Sequence, residues 1–335
     1  MKQRIILRAD GNAKMGLGHI YRCLTIVEML KEDFSCVFIT RLPVPALLHR
    51  MKQLCSQTIV LPDDLTESAE LQYLQQNLRL SDILVLDGYH FQTDYQEALK
   101  KRAGQLVCID DIFATRFVAD VILNPCGGVQ AQQYDAASST RFCLGPDYAL
   151  LHPVFQAAAQ QAIAERRTNQ VLICLGGADP HNVSLSVLQR CEAVGTFSMG
   201  HIITGAAYHH QASLDAYLQQ SKWPVVQHRH LSPAQMVAVM QQCATAICAA
   251  SGIASEYLSV GGTLYLLQTA DNQAAIFRYF IEQQLAFPFA EFPVAAVSQL
   301  EQAKARQRQI FRGQSAQNIV QLFKTLRHAI PQSTC

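Results

Sequence analysis

The sequence predicts an α/β protein built from two doubly wound, Rossmann-like domains facing a cleft. Three observations carry this expectation. Short, near-continuous Val/Ile/Leu runs alternate with helical stretches, as in Cys36-Val-Phe-Ile-Thr40, Ile83-Leu-Val-Leu86 and Leu106-Val-Cys-Ile109, which is the pattern of a parallel sheet covered on both faces. A strand, glycine turn, helix unit occurs after Ile5-Ile6-Leu7 and again after Val171-Leu-Ile-Cys-Leu175. At 335 residues the chain is long for one core, so two domains are expected, 1–150 and 151–335, with the last helix free to pack back on the first.

The opening unit is the most informative. The strand Ile5-Ile6-Leu7 runs into Arg8-Ala-Asp-Gly-Asn-Ala-Lys-Met-Gly-Leu-Gly-His-Ile-Tyr-Arg-Cys23, and the apolar spacing over 21–30 reads as a helix. Gly16 and Gly18 let the backbone bend and leave the first helical N–H groups open to an anion. His19 follows at that opening, at the sheet edge where such folds bind ligands. Tyr21 stands where a third glycine would complete a dinucleotide fingerprint, so the stretch is not one.

Further strands are expected at 58–61 and 121–123, with helices over 66–78 and 93–101. The strand tips carry polar clusters, Asp87-Gly-Tyr89-His90 and Asp110-Asp111. In a parallel sheet they share one edge with His19. Tyr89 offers both an apolar wall and a hydroxyl donor. The Asp pair reads equally as ligand-binding or as turn and cap residues. Turn residues around 144–153 mark a linker, followed by a helix over 155–167.

In the second half, Gly176 and Gly177 present backbone N–H groups before a helix from about residue 183, where Asn182 is placed either to cap or to touch a ligand. Strands follow at 202–204, 225–227, 246–249 and 263–268. The 246–249 strand leads into Ser251-Gly-Ile-Ala-Ser-Glu256, and the last leads into Asp271-Asn272-Gln273. Glu256 lies one helical turn past Gly252, where a carboxylate suits a ribose diol or, more plainly, the helix dipole. Residues 297–330 read as helical.

Composition narrows the function classes. Half of the residues are hydrophobic and 16% charged, and 27 Lys/Arg against 26 Asp/Glu give a net charge of +1, which argues against a nucleic-acid partner. No apolar run is long enough for a membrane span or a signal-peptide core, so a cytoplasmic protein without membrane insertion is expected. The eleven cysteines include no C-x-x-C pair, and Cys36, Cys108, Cys174 and Cys248 sit inside apolar runs, as reduced, space-filling thiols do. His209-His210 and His228/His230 lack ligands at metal spacing. No metal, cofactor or protein partner is implied.

Taken together, Gly-Leu-Gly-His19, Ser251-Gly-Ile-Ala-Ser-Glu256 and Asp271-Asn272-Gln273 resemble the landmarks of the MurG-like group of GT-B glycosyltransferases. Within that group, Arg8-Ala-Asp10, Gly16-Leu-Gly-His19-Ile-Tyr-Arg-Cys23, Asp87-Gly-Tyr89, Asp110-Asp111, Leu144-Gly-Pro-Asp-Tyr-Ala-Leu-Leu151 and Gly176-Gly-Ala-Asp179 resemble the PseG family. That family hydrolyses UDP-2,4-diacetamido-2,4,6-trideoxy-β-L-altropyranose in pseudaminic acid biosynthesis. The resemblance covers landmarks from residue 8 to about 275; His152-Pro153 departs from it, since an arginine usually precedes that proline.

The resemblance implies a metal-independent, inverting hydrolysis of a UDP-sugar at C1, with UDP held by the C-terminal half. It implies His19 as the base that activates water and Tyr89 at the sugar. Asp10, Gly16, Gly18, Gly177, Asn182, Ser251, Gly252, Ser255, Glu256, Asn272 and Gln273 are the implied substrate contacts. A glycosyltransferase using the same donor, or a non-catalytic sugar-nucleotide sensor, are the alternatives.

Overall fold

The computed structural model describes residues 2–11, 16–161, 168–205, 207–293 and 297–329. The chain divides into two compact units, 1–150 together with 315–335, and 151–314.

The first unit opens with β1 (Arg4–Ala9), α1 (Gly18–Leu30) and β2 (Ser35–Arg41). It continues through α2 (Pro45–Leu54), β3 (Gln57–Leu61), α3 (Glu67–Asn77), β4 (Ile83–Asp87) and α4 (Thr93–Lys100) to β5 (Gln105–Ile109), β6 (Val121–Asn124) and β7 (Arg141–Leu144). All seven strands are parallel, in the order β3-β2-β1-β4-β5-β6-β7. The central strands are apolar on both faces because both are covered. Ile5, Leu7, Ile83 and Val85 pack with α1, while Ile6, Leu84, Leu86 and Leu106 pack with residues of α3 and α4.

Two elements have weak sequence signals. Pro45 stands in the first turn of α2, where its missing N–H costs nothing, so the helix starts at a proline. β7 is four residues at the sheet edge. The helix expected over 155–167 is observed from Pro153 to Gln160, and residues 162–167 lie outside the described residues.

The second unit runs from α5 (Pro153–Gln160) through β8 (Thr168–Cys174), α6 (Val183–Val194), β9 (Met199–Thr204), α7 (Gln211–Gln220) and β10 (Val225–Arg229). It ends with α8 (Pro233–Gln242), β11 (Cys243–Ala249), α9 (Gly252–Val260), β12 (Thr263–Leu267), α10 (Ala274–Glu282), β13 (Phe287–Pro288) and α11 (Val297–Ile310). Its six strands are parallel in the order β10-β9-β8-β11-β12-β13.

The final helix, α12 (Ser315–Ala329), belongs to the first unit. It buries Ile319, Leu322, Phe323 and Leu326 in the core that also holds α1. Phe323 meets Phe34 edge-on at 6.5 Å, Lys324 pairs with Asp33 at 2.8 Å, and Asn318 donates to the Asp147 carbonyl at 2.8 Å.

Candidate functional site

In each sheet the strand order reverses beside the first strand of its unit, which opens a crevice at the carboxyl ends of the two diverging strands. In the first unit these are β1 and β4, paired through Ala9 and Asp87. Gly16 takes a φ of 84°, a left-handed conformation that glycine adopts freely, and α1 then starts without a side-chain cap. This turn puts His19 in the first turn of α1, buried, directly over the end of β4.

His19 Nδ1 lies 2.6 Å from Asp87 Oδ1. Arg22, one helical turn on, donates to the same carboxylate through Nε at 3.0 Å and Nη2 at 2.7 Å, and to Asp111 Oδ2 through Nη1 at 2.7 Å. Burial pushes the Asp87 carboxyl up, but Arg22 and the His19 contact outweigh it and hold it below the ordinary carboxylate range. Burial likewise opposes the Arg22 charge, and Asp87 and Asp111 outweigh it in turn.

An ionised Asp87 only accepts, so its short contact requires a proton on His19 Nδ1. Arg22 Nη2 lies 2.8 Å from that nitrogen, yet both are then donors, and Nη2 donates one of its two hydrogens to Asp87 Oδ1. Nε2 keeps its lone pair and has no hydrogen-bond partner among the described residues. The Tyr89 ring stands edge-on to the imidazole, centroids 4.7 Å apart, and is 39% exposed. The site thus offers a basic nitrogen beside an accessible aromatic wall.

The other polar tips divide. Asp110 accepts from Phe113 N at 2.9 Å, a turn role, whereas Asp111 faces Arg22. Asp10 is drawn into a buried ion network: its Oδ1 accepts from Arg8 Nη1 at 2.5 Å and Arg41 N at 2.7 Å, and its Oδ2 lies 3.5 Å from His90 Nε2. Arg8 also pairs with Glu70 at 2.6 Å, which Arg41 and Tyr95 contact as well. Burial raises the Glu70 carboxyl, but these partners win and bring it down to about 2.

In the second unit the diverging strands are β8 and β11, paired through Cys174 and Cys248. Both thiols are buried, as are Cys36 and Cys108, and burial pushes Cys174 and Cys36 up to about 12. Gly176 follows β8 with a φ of 97°, and Gly205, after β9, comes so close to Gly177 that a Cβ on Gly205 would stand 2.4 Å from its Cα.

The two helix starts here differ. The N–H groups of Val183 and Ser184 both donate to the Asp179 carboxylate, at 2.9 and 2.8 Å, so α6 is already capped. Asn182 does not cap it; its Oδ1 accepts from Tyr208 at 2.6 Å. The first donors of this helix start, Val183 and Ser184, are thus engaged by Asp179 rather than open to an anion. Ser251 precedes α9 without a side-chain cap, and Gly252 is exposed with open space around its Cα. That start remains available to an anion.

Glu256, half-buried in the second turn of α9, has no side-chain hydrogen bond among the described residues, and burial alone pushes its carboxyl up to about 8. Ser255 beside it is also half-buried. At the tip of the adjacent strand β12, Gln273 Oε1 accepts from the Thr269 backbone at 2.8 Å and closes the loop that holds the exposed Asn272. Gly177 follows β8, Ser251 and Gly252 follow β11 with Glu256 one turn into α9, and Asn272 follows β12, and these three strands are neighbours in the sheet.

No family model matches the chain. It is 24% identical over 283 residues to the spore coat polysaccharide biosynthesis protein SpsG of Bacillus subtilis (strain 168), covering 83% of this chain and 81% of that protein. Among solved structures, S. aureus MnaA in complex with UDP is similar with a TM-score of 0.64 at 11% identity, covering 98% of each chain. Acinetobacter baumannii MurG is similar with a TM-score of 0.59 at 12% identity, covering 97% of this chain and all of that one. The fold is GT-B. On this GT-B scaffold, sequence reading placed His19 and Tyr89 at strand tips but did not pair His19 with Asp87 and Arg22, or Arg22 with Asp111. The available signal was the His19/Arg22 spacing of three, which puts both on one helix face. Among the described residues no helix is long and apolar enough to cross a membrane.

Proposed function

We propose that this protein hydrolyses a UDP-sugar at its anomeric carbon, releasing UDP and a free sugar. The observation that carries the reading is the His19 imidazole, held by Asp87 with Nε2 unpartnered among the described residues and beside Tyr89. A base so placed takes a proton from water, and such catalysis contributes about 10²–10⁴-fold. The water oxygen attacks C1, the C1–O bond to UDP breaks with inversion, and the electron pair leaves on the diphosphate. Asp87 stabilises the imidazolium that forms.

The nucleotide is assigned to the second unit. The uncapped start of α9 at Gly252 receives diphosphate, Glu256 accepts from the ribose hydroxyls, and Gly177, Ser251, Ser255 and Asn272 line the same tips. Asn182 and Gln273 keep their amide nitrogens for the ligand, since their oxygens are engaged. Asp10 acts through the network that fixes the β1 tip. The residues resembling the PseG family point to UDP-2,4-diacetamido-2,4,6-trideoxy-β-L-altropyranose as the substrate, and hence to pseudaminic acid biosynthesis in the cytoplasm.

Transfer of the sugar to an acceptor other than water is the second reading, favoured by the likeness to MurG. Incubation of the purified protein with the UDP-sugar and no acceptor separates the two. Stoichiometric UDP and free sugar establish hydrolysis. Absence of turnover rejects it in favour of transfer or simple binding.

A further inference from the structure

The proposed chemistry uses the imidazole and its carboxylate but gives no task to Arg22. We infer that Arg22 is a positioning residue that keeps the His19 ring neutral, so that Nε2 stays available as a base; this rests on the proposed role of His19.

A carboxylate in contact with an imidazole fixes its tautomer, but it also favours the doubly protonated ring. An imidazolium accepts no further proton. His19 faces Asp87 from β4 and, across Arg22, Asp111 from the tip of β5. Two carboxylates with no cation between them would hold the ring charged. Arg22 occupies that place: it shares Asp87 Oδ1 with His19, and its Nη2 lies 2.8 Å from Nδ1. A second proton on the ring would put two positive groups in contact in a buried site.

The other described groups around the ring leave this balance intact. Tyr89 meets it edge-on, and burial together with the charge of Arg8 holds His90 below the ordinary histidine range. Burial keeps the Cys23 thiol protonated, and the Cys126 thiol is pushed up to about 12. Asp111 anchors the far end of the guanidinium at 2.7 Å, while its own Oδ1 is buried with no hydrogen-bond partner among the described residues. Its carboxylate is therefore oriented by Arg22, and Arg22 by it.

The test is the ring itself, read by ¹⁵N chemical shifts in the full-length protein labelled at histidine, with His19→Gln supplying the assignment. The parent at pH 7.5 should show the neutral Nδ1–H tautomer. In Arg22→Gln the midpoint of ring protonation should rise by about one pH unit or more, and the acidic limb of hydrolysis should move with it. On the acidic side of the parental midpoint that is about a tenfold loss of rate, recovered at higher pH. Arg22→Lys, which keeps a charge, should restore most of the parental midpoint. Where Arg22→Gln fails to fold, Arg22→Gln/Asp111→Asn removes both ends of the outer pair, leaves Asp87 alone against the ring, and should show a smaller rise. A midpoint unchanged from the parent in the variant that folds overturns the inference. A parent with a neutral ring but no hydrolysis retires the proposed reaction and leaves the role of Arg22 standing.

Discussion

With its carboxyl pushed up to about 8 by burial, Glu256 makes nucleotide binding a proton-linked event. Ribose hydroxyls donate to the ionised carboxylate, so a site that is mostly protonated at neutral pH must release a proton to bind. If the ionised form alone binds, UDP affinity rises about tenfold between pH 7 and pH 9, and about 0.9 proton is released per UDP at pH 7. The terminal phosphate titrates near pH 6, below this window. The nearby thiols do not interfere, since burial holds Cys174 at about 12 and Cys248 well above its ordinary value.

Titration calorimetry in two buffers of different ionisation enthalpy counts the proton directly. Glu256→Gln should weaken UDP binding and flatten its pH dependence. Affinity that is flat from pH 7 to pH 9 in the parent, or unchanged in the variant, refutes the ribose assignment. The same carboxyl affects stability with a definite sign. Its folded pKa stands above the ordinary 4.5, so its contribution is complete below about pH 4.5 and is lost as pH rises through about 8. Glu256→Gln should accordingly melt higher than the parent at pH 9.

Asp87→Asn leaves one oxygen to satisfy both His19 and Arg22, so the ring takes the wrong tautomer or the guanidinium loses a buried acceptor; UDP release should fall about 10⁴-fold, and steady-state kinetics on folded protein showing less than a tenfold loss would refute this. Asp179→Ala strips both bonds from the start of α6 and should destabilise the protein by about 1–2 kcal/mol in denaturant titrations. UDP affinity in that variant should stay within about twofold of the parent, because the diphosphate is assigned to α9; a large loss would move it to α6. His201 and His228 share a 2.9 Å hydrogen bond, and burial, with the neighbouring imidazole in the case of His201, holds both rings below the ordinary histidine range. Their stabilisation is present above about pH 6.5 and is lost as pH falls through the folded values, so melting temperature should drop between pH 6.5 and pH 5, and less so in His201→Gln/His228→Gln.

The sheets were legible because their strands are buried on both faces and so read as unbroken apolar runs. α2 was hidden by prolines that serve its first turn, and β7 by an edge position that asks for little apolar content. In the site, His19 and Tyr89 could be placed from strand tips alone. The Asp87 contact depends on the register that sets Ala9 beside it, which no local pattern encodes. Asn182 stands directly before α6, yet Asp179 supplies the cap. The turn between them, closed by Asn182 N donating to the Asp179 carbonyl at 3.0 Å, brings the earlier carboxylate back over both amides and decides the matter.

The return of α12 to the first unit has a consequence for biogenesis. The stretch 151–314 is continuous, so a ribosome delivers it whole while the opening unit still lacks Ile319, Leu322, Phe323 and Leu326. Each of these side chains is worth about 2 kcal/mol when buried. The piece translated first is thus the piece completed last, and a stop codon placed after Gln314 would strip its core while sparing every residue of the later-made partner.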